Sequence, residues 1–343
     1  MAKLDNLSVL IVTWNGDGLL KSCLDSVFSV YGEGIEIVVV DNANLESTRK
    51  IVLGFKGVKY IASVTNLGFA GGNNLGLPAC SGKYILLLNN DTIIHGDSFT
   101  PLVEYMESNQ KVAVVQGKMR LSLAGNVLDE CGTMFTPMGI LYDRYSMLDD
   151  ATVVSSGPVH SVKGAMMMIR RDVIPLAGGL FHDHFHCNYE DKDFCHRVWM
   201  AGYEVHYVDT PAIDHLQSQT IGRLDQVELT GKTLANQLFS YVTTLEKRNA
   251  FCFAMKQLLL WSLIAAHGLL IKRQKRAFRI FSCMLSSFWS HRQHVLSSRR
   301  ILQDLRVKTD KEIFLMTMAR PPVSYYYHWL HGDLMDLRRK NGR

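Results

Sequence analysis

Between residues 8 and 117 the chain alternates short continuous apolar runs with stretches of helical periodicity, and this alternation restricts the fold more than any other feature. The runs are "SVLIV" (8–12), "IEIVVVD" (35–41), "VKYIA" (58–62), "KYILLLNND" (83–91) and "VAVVQG" (112–117). Leu20, Leu24, Val27 and Phe28 keep helical spacing within 19–31, and 45–54 and 99–109 are expected to be helical too. Strands apolar on both faces, separated by helices, predict a parallel sheet covered on both sides, an α/β fold. In such sheets ligands bind beyond the carboxyl ends of the strands. Thr13–Asn15, Asp41–Asn42 and Asn89–Asp91 all follow strand ends, so they are expected to gather on one edge.

Each polar cluster has a chemical and a plain structural reading. Asp91 is placed to hold a hard divalent cation, which prefers oxygen ligands, or to cap its own turn. Asp41 can accept hydrogen bonds from a ribose or base, or form a turn with Asn42. "NLGFAGGNNLG" (66–76) lets backbone approach a ligand closely at a helix start, although it is neither GxGxxG nor a P-loop. From "YEDKDFCHR" (189–197) into the next residue, Asp191, Phe194, Cys195 and Val198 share one helical stripe. Glu190 and Asp193 turn elsewhere on this reading, as first-turn acids, and Asp193 is spaced to pair with Arg197. Asp191 is left facing inward, where a carboxylate could serve as a general base. His215 follows a strand and could complete a metal shell beside Asp91, or be an ordinary core histidine. The run "HDHFH" (182–186) has no Cys or Glu at metal-site spacing, which argues against zinc.

Residues 118–160 lack periodicity and suggest an insert over the site, 162–174 a strand and turn, 189–201 a helix, and 203–209 a strand leading to His215. From about 230 onward the chain is helical in pattern, giving a catalytic part at 1–225 and a basic helical extension at 226–343. Residues 246–343 hold 19 Lys and Arg against 6 Asp and Glu, whereas 1–245 hold 18 against 26. Such a basic end suits an anionic membrane or a nucleic acid. Residues 251–271 nearly reach spanning length but carry Lys256 and His267, and "KRQKRAFR" (272–279) follows. Lying in a membrane interface, packing on the catalytic part, and spanning are the three open readings. Seven scattered cysteines without a CxxC pair fit a reduced cytosolic chain. The N-terminal run is not expected to be a signal peptide.

In chain order, "SVLIVTWNG", "IVVVDNAN", "NLGFAGGNNLG", "YILLLNNDT", "GAMMMIRRD", "YEDKDFCHRVWMAGYEVHYV" and "IDH" resemble the family 2 glycosyltransferases, over residues 6–220. "YVTTLEKRN" (241–249) resembles the helical extension of their rhamnosyltransferase-like subgroup, which builds bacterial surface polysaccharides. The resemblance implies a Rossmann-like GT-A nucleotide-diphospho-sugar transferase fold with a C-terminal helical extension. It implies inverting transfer of a sugar from a dTDP- or UDP-sugar to a hydroxyl of a lipid-linked or polysaccharide acceptor, at the cytoplasmic face of the cell membrane. Nucleic acid is not an expected partner. Thr13, Asn15 and Asp41 would lie by the nucleotide, and Asn66, Gly72 and Asn73 would line the donor. Asp91 and His215 would hold Mg²⁺ or Mn²⁺, and Asp191 would be the base. The family's Asp-x-Asp is Asn89-Asn90-Asp91 here, leaving one carboxylate, and the QxxRW of processive relatives is absent, so one sugar per encounter is expected. The rivals are a sugar-1-phosphate nucleotidyltransferase, whose basic glycine-rich loop after the first strand is missing from "TWNGDGLL", and an inactive nucleotide-binding scaffold.

Overall fold

The computed structural model describes residues 4–121, 127–149, 151, 154–186, 188–216 and 225–331. Cys187, parts of the 118–160 insert and the residues after 331 lie outside the described residues. The apolar runs become strands. They are β1 (Leu7–Thr13), β2 (Glu36–Asp41), β3 (Lys59–Ala62), β4 (Tyr84–Asn89), β5 (Thr92–Ile93) and β6 (Val112–Gln116). Between them lie α1 (Asp17–Tyr31), α2 (Glu46–Leu53), α3 (Gly68–Gly76) and α4 (Thr100–Ser108). The insert holds the short strands β7 (Met119–Leu121), β8 (Val127–Leu128), β9 (Thr133–Met134), β10 (Tyr142–Asp143) and β11 (Gly157–Pro158). There follow β12 (Met166–Arg170), α5 (Val173–Leu176), α6 (Glu190–Met200), β13 (Glu204–Tyr207) and β14 (Ile213–His215). The rest is helical: α7 (Gln226–Thr244), α8 (Lys247–Leu270), α9 (Arg276–Ser290), α10 (Arg292–Asp304), α11 (Asp310–Thr317) and α12 (Val323–His331).

The main sheet has eight strands in the order β11-β13-β6-β12-β4-β1-β2-β3. It is mixed rather than wholly parallel. β1, β2, β3 and β4 run parallel, but β12 is antiparallel to both β4 and β6. A strand such as "MMMIR", apolar up to Arg170 at its end, is buried on both faces in either direction, so its orientation leaves no mark on the pattern.

Alternate strand residues feed two layers. Val9, Ile11, Val39 and Leu86 meet Leu20, Leu24 and Leu102 of α1 and α4 on one side. Leu10, Val38, Val40 and Leu87 meet Ala70 of α3 and Phe194, Val198 and Trp199 of α6 on the other. Phe239, Val295, Leu302 and Ile313 of the helical extension join that second core. α3 can lie close to the sheet because a Cβ at Gly72 would come 2.6 Å from Val12, and one at Gly76 2.4 Å from Leu10.

A second, four-stranded sheet, β5-β14-β7-β8, sits beyond the end of β4. Its β14 pairs antiparallel with β5, which sets His215 opposite Thr92, one residue after Asp91.

Candidate active site

A cavity of about 590 Å³ lies at the carboxyl edge of the sheet, as expected for an α/β fold. Thr13, Asn66, Asp91, Asp191 and His215 line it. These residues come from five separate stretches of chain, brought to one place by strand ends and by the start of α6. Asn42, Asn90 and Trp14 share the wall. Asn90 Nδ2 donates to Thr13 Oγ1 at 2.8 Å, tying the ends of β4 and β1 together.

Asp41, Gly72 and Asn73 stand behind the wall, and Asn15 lies in the exposed turn after β1 at φ +52°. The Asp41 carboxylate is buried and accepts from the backbone N–H of Ala43 and Leu45 and from the Tyr60 hydroxyl, so it shapes the turn after β2. Asn73 Nδ2 donates to Phe69 O within α3. Asn66 Oδ1 accepts from Gly68 N–H and fixes the turn into α3, where Gly68 adopts φ +69° and a Cβ would fall 2.0 Å from His186 O.

On one side of the cavity, Asp91 Oδ1 is buried without a hydrogen-bond partner and lies 3.5 Å from His215 Nε2. The other ring nitrogen, Nδ1, is 2.7 Å from Asp129 Oδ2. Burial opposes charge on this imidazole, but its hydrogen bond to Asp129 and the nearby Asp91 carboxylate outweigh burial and raise its pKa to about 9. Asp129 follows β8, whose pairing with β7 carries it to the site, and it also accepts from Lys163 Nζ at 2.6 Å. Despite its burial, Lys163 and His215 hold the Asp129 carboxyl well below the usual range. An unpaired carboxylate oxygen facing an imidazole oriented by a second carboxylate is a donor set that fits a divalent cation, which would displace the proton from His215 Nε2 on binding. Among the described residues no group of three or more His, Cys, Asp or Glu side chains is arranged to hold a metal, so a cation here would need ligands from a bound diphosphate or water.

Asp191 opens on the same cavity. Its Oδ2 accepts from Gly164 N–H at 3.0 Å, and Lys192 Nζ lies 3.1 Å away. Gly164 adjoins Lys163, so one two-residue step links the Asp129–His215–Asp91 group to Asp191. Beside it, Glu190 does not behave as the sequence suggested. It is buried on the cavity wall, its Oε2 has no hydrogen-bond partner, and burial together with the Asp191 charge raises its pKa to about 8. The reason is that α6 is enclosed on nearly every face, so a stripe pattern could not separate the inward acid from the outward one. Asp193 pairs with Arg197 at 2.7 Å as its spacing predicted, but with both side chains fully buried. Sequence reasoning also missed Asp129 and Trp14. The adjacent acids of "VLDECG" (127–132), within an apolar stretch of the insert, were the available signal for Asp129.

"HDHFH" is irregular in backbone. Burial depresses His182 to about 4 and His184 to about 3, and His184 stacks on His291 at 4.9 Å. The extension completes the cavity. Thr233, Leu234, Gln237 and Tyr241 of α7, Gln257, Leu260 and Trp261 of α8, and Trp329 of α12 form its far wall.

Residues 8–174 match the family described as Glycosyl transferase family 2. A curated relative, the poly-beta-1,6-N-acetyl-D-glucosamine synthase of Staphylococcus epidermidis, is 22% identical over 65% of this chain and 52% of its own length. The chain thus spans about half the length of that relative. Among solved structures, GalNAc-T7 with UDP, GalNAc and Mn²⁺ superposes with a TM-score of 0.59 at 15% identity, covering 85% of this chain and 58% of that one. Residues 1–349 of S. aureus TarS superpose with a TM-score of 0.56 at 14% identity, covering 98% and 90%. The likeness establishes a GT-A fold with a C-terminal helical region.

Proposed function

We propose that this chain, a glycosyltransferase by the family 2 domain it carries, moves one sugar at a time from a nucleotide-diphosphate donor to an acceptor hydroxyl, with inversion. The observation that carries the reading is the convergence of Asp191 with the Asp91–His215 pair on one cavity, with Asp91 Oδ1 unpartnered. The nucleotide lies along Thr13, Trp14, Asn42 and Asn66. Asp41, Gly72, Asn73 and Asn15 hold that wall in shape.

Asp91 and His215 would hold Mg²⁺ or Mn²⁺, with Asp129 orienting the imidazole. When bound, the cation neutralises charge on the leaving diphosphate. Asp191 takes the proton from the acceptor hydroxyl as its oxygen bonds to the anomeric carbon. The bond from that carbon to the diphosphate breaks, and the nucleoside diphosphate leaves with the electron pair. A single displacement inverts the centre and leaves no covalent sugar on the protein. Glu190, neutral at pH 7, can donate a hydrogen bond to a sugar oxygen beside the base. GalNAc-T7, crystallised with UDP and Mn²⁺, supports the donor and cation classes.

The finer assignments rest on the motif order: a rhamnose-like or other hexose from a dTDP- or UDP-sugar, and a lipid-linked or polysaccharide acceptor at the cytoplasmic face of the cell membrane. The test begins with a panel of nucleotide sugars screened for thermal stabilisation in Mn²⁺, since a bound donor raises the melting temperature by mass action. Single-turnover transfer from the selected donor is then compared with Asp191→Asn. The variant is expected to bind donor normally and to lose about 10²–10⁴-fold in rate. An unchanged rate would remove Asp191 from the role of base.

A further inference from the structure

α8 is apolar on the side that it exposes as well as on the side that it buries. From Phe251 to Leu270 its sequence contains one residue that is always charged, Lys256, and one histidine, the exposed His267 in the last turn. Lys256 turns inward, where Nζ donates to Pro137 O at 2.7 Å and sits over the Phe253 ring. The outer face is therefore free of permanent charge over about 30 Å, at 1.5 Å per residue. On it Phe251, Met255, Leu259 and Leu263, at four-residue steps, are 70, 47, 59 and 59% exposed, and Leu270 is 78% exposed. A continuous apolar face of this length is unusual on a soluble monomer and marks a surface that is covered in use.

Both ends of the face are basic. Lys247 and Arg248 precede it, and Lys272, Arg273, Lys275 and Arg276 follow it, all exposed. The last four form no ion pair with a described residue. An apolar helix face flanked by unpaired cations is complementary to an anionic bilayer, apolar inside and negative at the headgroups.

α8 is long and apolar enough to cross a membrane by length and composition. Its inner face opposes crossing. Phe253, Gln257, Ala265 and Gly268 are buried, Gln257 Nε2 donates to Leu234 O of α7, and Leu260 and Trp261 line the cavity. Insertion would strip these contacts and open the site.

We infer that α8 docks its outer face flat on an anionic membrane surface, with Lys247–Arg248 and Lys272–Arg276 on the headgroups. The cavity wall and the docking face then lie on opposite sides of one helix, so the cavity stands about 10 Å from the lipid. This deepens the glycosyltransferase reading and rests on it for its purpose, which is to bring the site to an acceptor glycan anchored in the same bilayer.

Vesicle co-sedimentation of the full chain tests the docking without turnover, so the two readings fail separately. The chain is expected to bind phosphatidylcholine vesicles containing phosphatidylglycerol, to bind pure phosphatidylcholine about tenfold more weakly, and to be released by salt. Leu259→Glu with Leu263→Glu, and independently Lys272→Glu with Arg276→Glu, should each weaken binding about tenfold or more. Both variants should keep the cooperative melt and the far-UV circular dichroism of the wild type, as the check that they fold. Equal binding by the wild type and both variants would overturn the proposal, and so would wild-type protein that resists alkaline carbonate extraction, the mark of a span. A dimer dispersed by the leucine variants, without vesicle binding by the wild type, would also overturn it and give the face to a second copy of the chain.

Discussion

Glu190 and Asp191 are neighbours in sequence and on the cavity wall, yet their surroundings pull them apart. Asp191 accepts from Gly164 N–H and lies beside Lys192, whereas Glu190 has an oxygen with no partner. Glu190 titrates at 4.5 when unfolded and at about 8 in the fold. Over that interval the native state holds the extra proton, so stability falls as pH rises from about 4.5 to about 8. Glu190→Gln removes this dependence. Melting curves from pH 5 to 8 should therefore show the wild type losing melting temperature relative to the variant. Parallel curves would mean that Glu190 is ionised in the fold. At this scale the sequence was half legible. Asp191 stood out by its stripe and by the motif order. Glu190 did not, because helical periodicity sorts residues only when one face meets water, and α6 has no such face. Asp129 was illegible for another reason: it orients His215 from an insert without periodicity, and a pairing 86 residues apart exists only once β7, β8 and β14 are assembled.

Among the elements, α6 does the most to fix the site, and Arg197 fixes α6. Its guanidinium donates to Asp193 and to the carbonyls of Ala177, Gly179 and Leu180, all inside the protein. The spacing of Asp193 and Arg197 announced the pair but suggested a surface bridge worth a few tenths of a kcal/mol. Buried, it is a different object. Arg197→Ala leaves Asp193 charged and three carbonyls unpaired, at a cost of about 3–5 kcal/mol. Chemical denaturation should register that loss, and a change below about 1 kcal/mol would mean that water satisfies the site. Strand positions were legible as apolar runs. The antiparallel insertion of β12 was not, since both directions bury the same side chains.

At the scale of the whole molecule, the charge contrast announced a second part but hid how closely it is joined to the first. The helices contribute Phe239, Val295, Leu302 and Ile313 to the core above the sheet, each worth about 1.5–3 kcal/mol on burial. That total approaches the whole stability of a typical domain. A chain ending at residue 225 is therefore expected to lack a cooperative melt, as followed by near-UV circular dichroism; a sharp transition would show that the sheet stands alone. The same helices close the cavity, so the pocket belongs to the whole chain. The most direct test of the site is calorimetric titration of UDP and dTDP into the full chain, with and without Mn²⁺, for the wild type, Asp91→Asn and Asp191→Asn. Mn²⁺ should tighten nucleotide binding in the wild type and in Asp191→Asn, and leave Asp91→Asn unchanged. An undiminished Mn²⁺ effect in Asp91→Asn would contradict the placement of the cation and the orientation of the donor built on it.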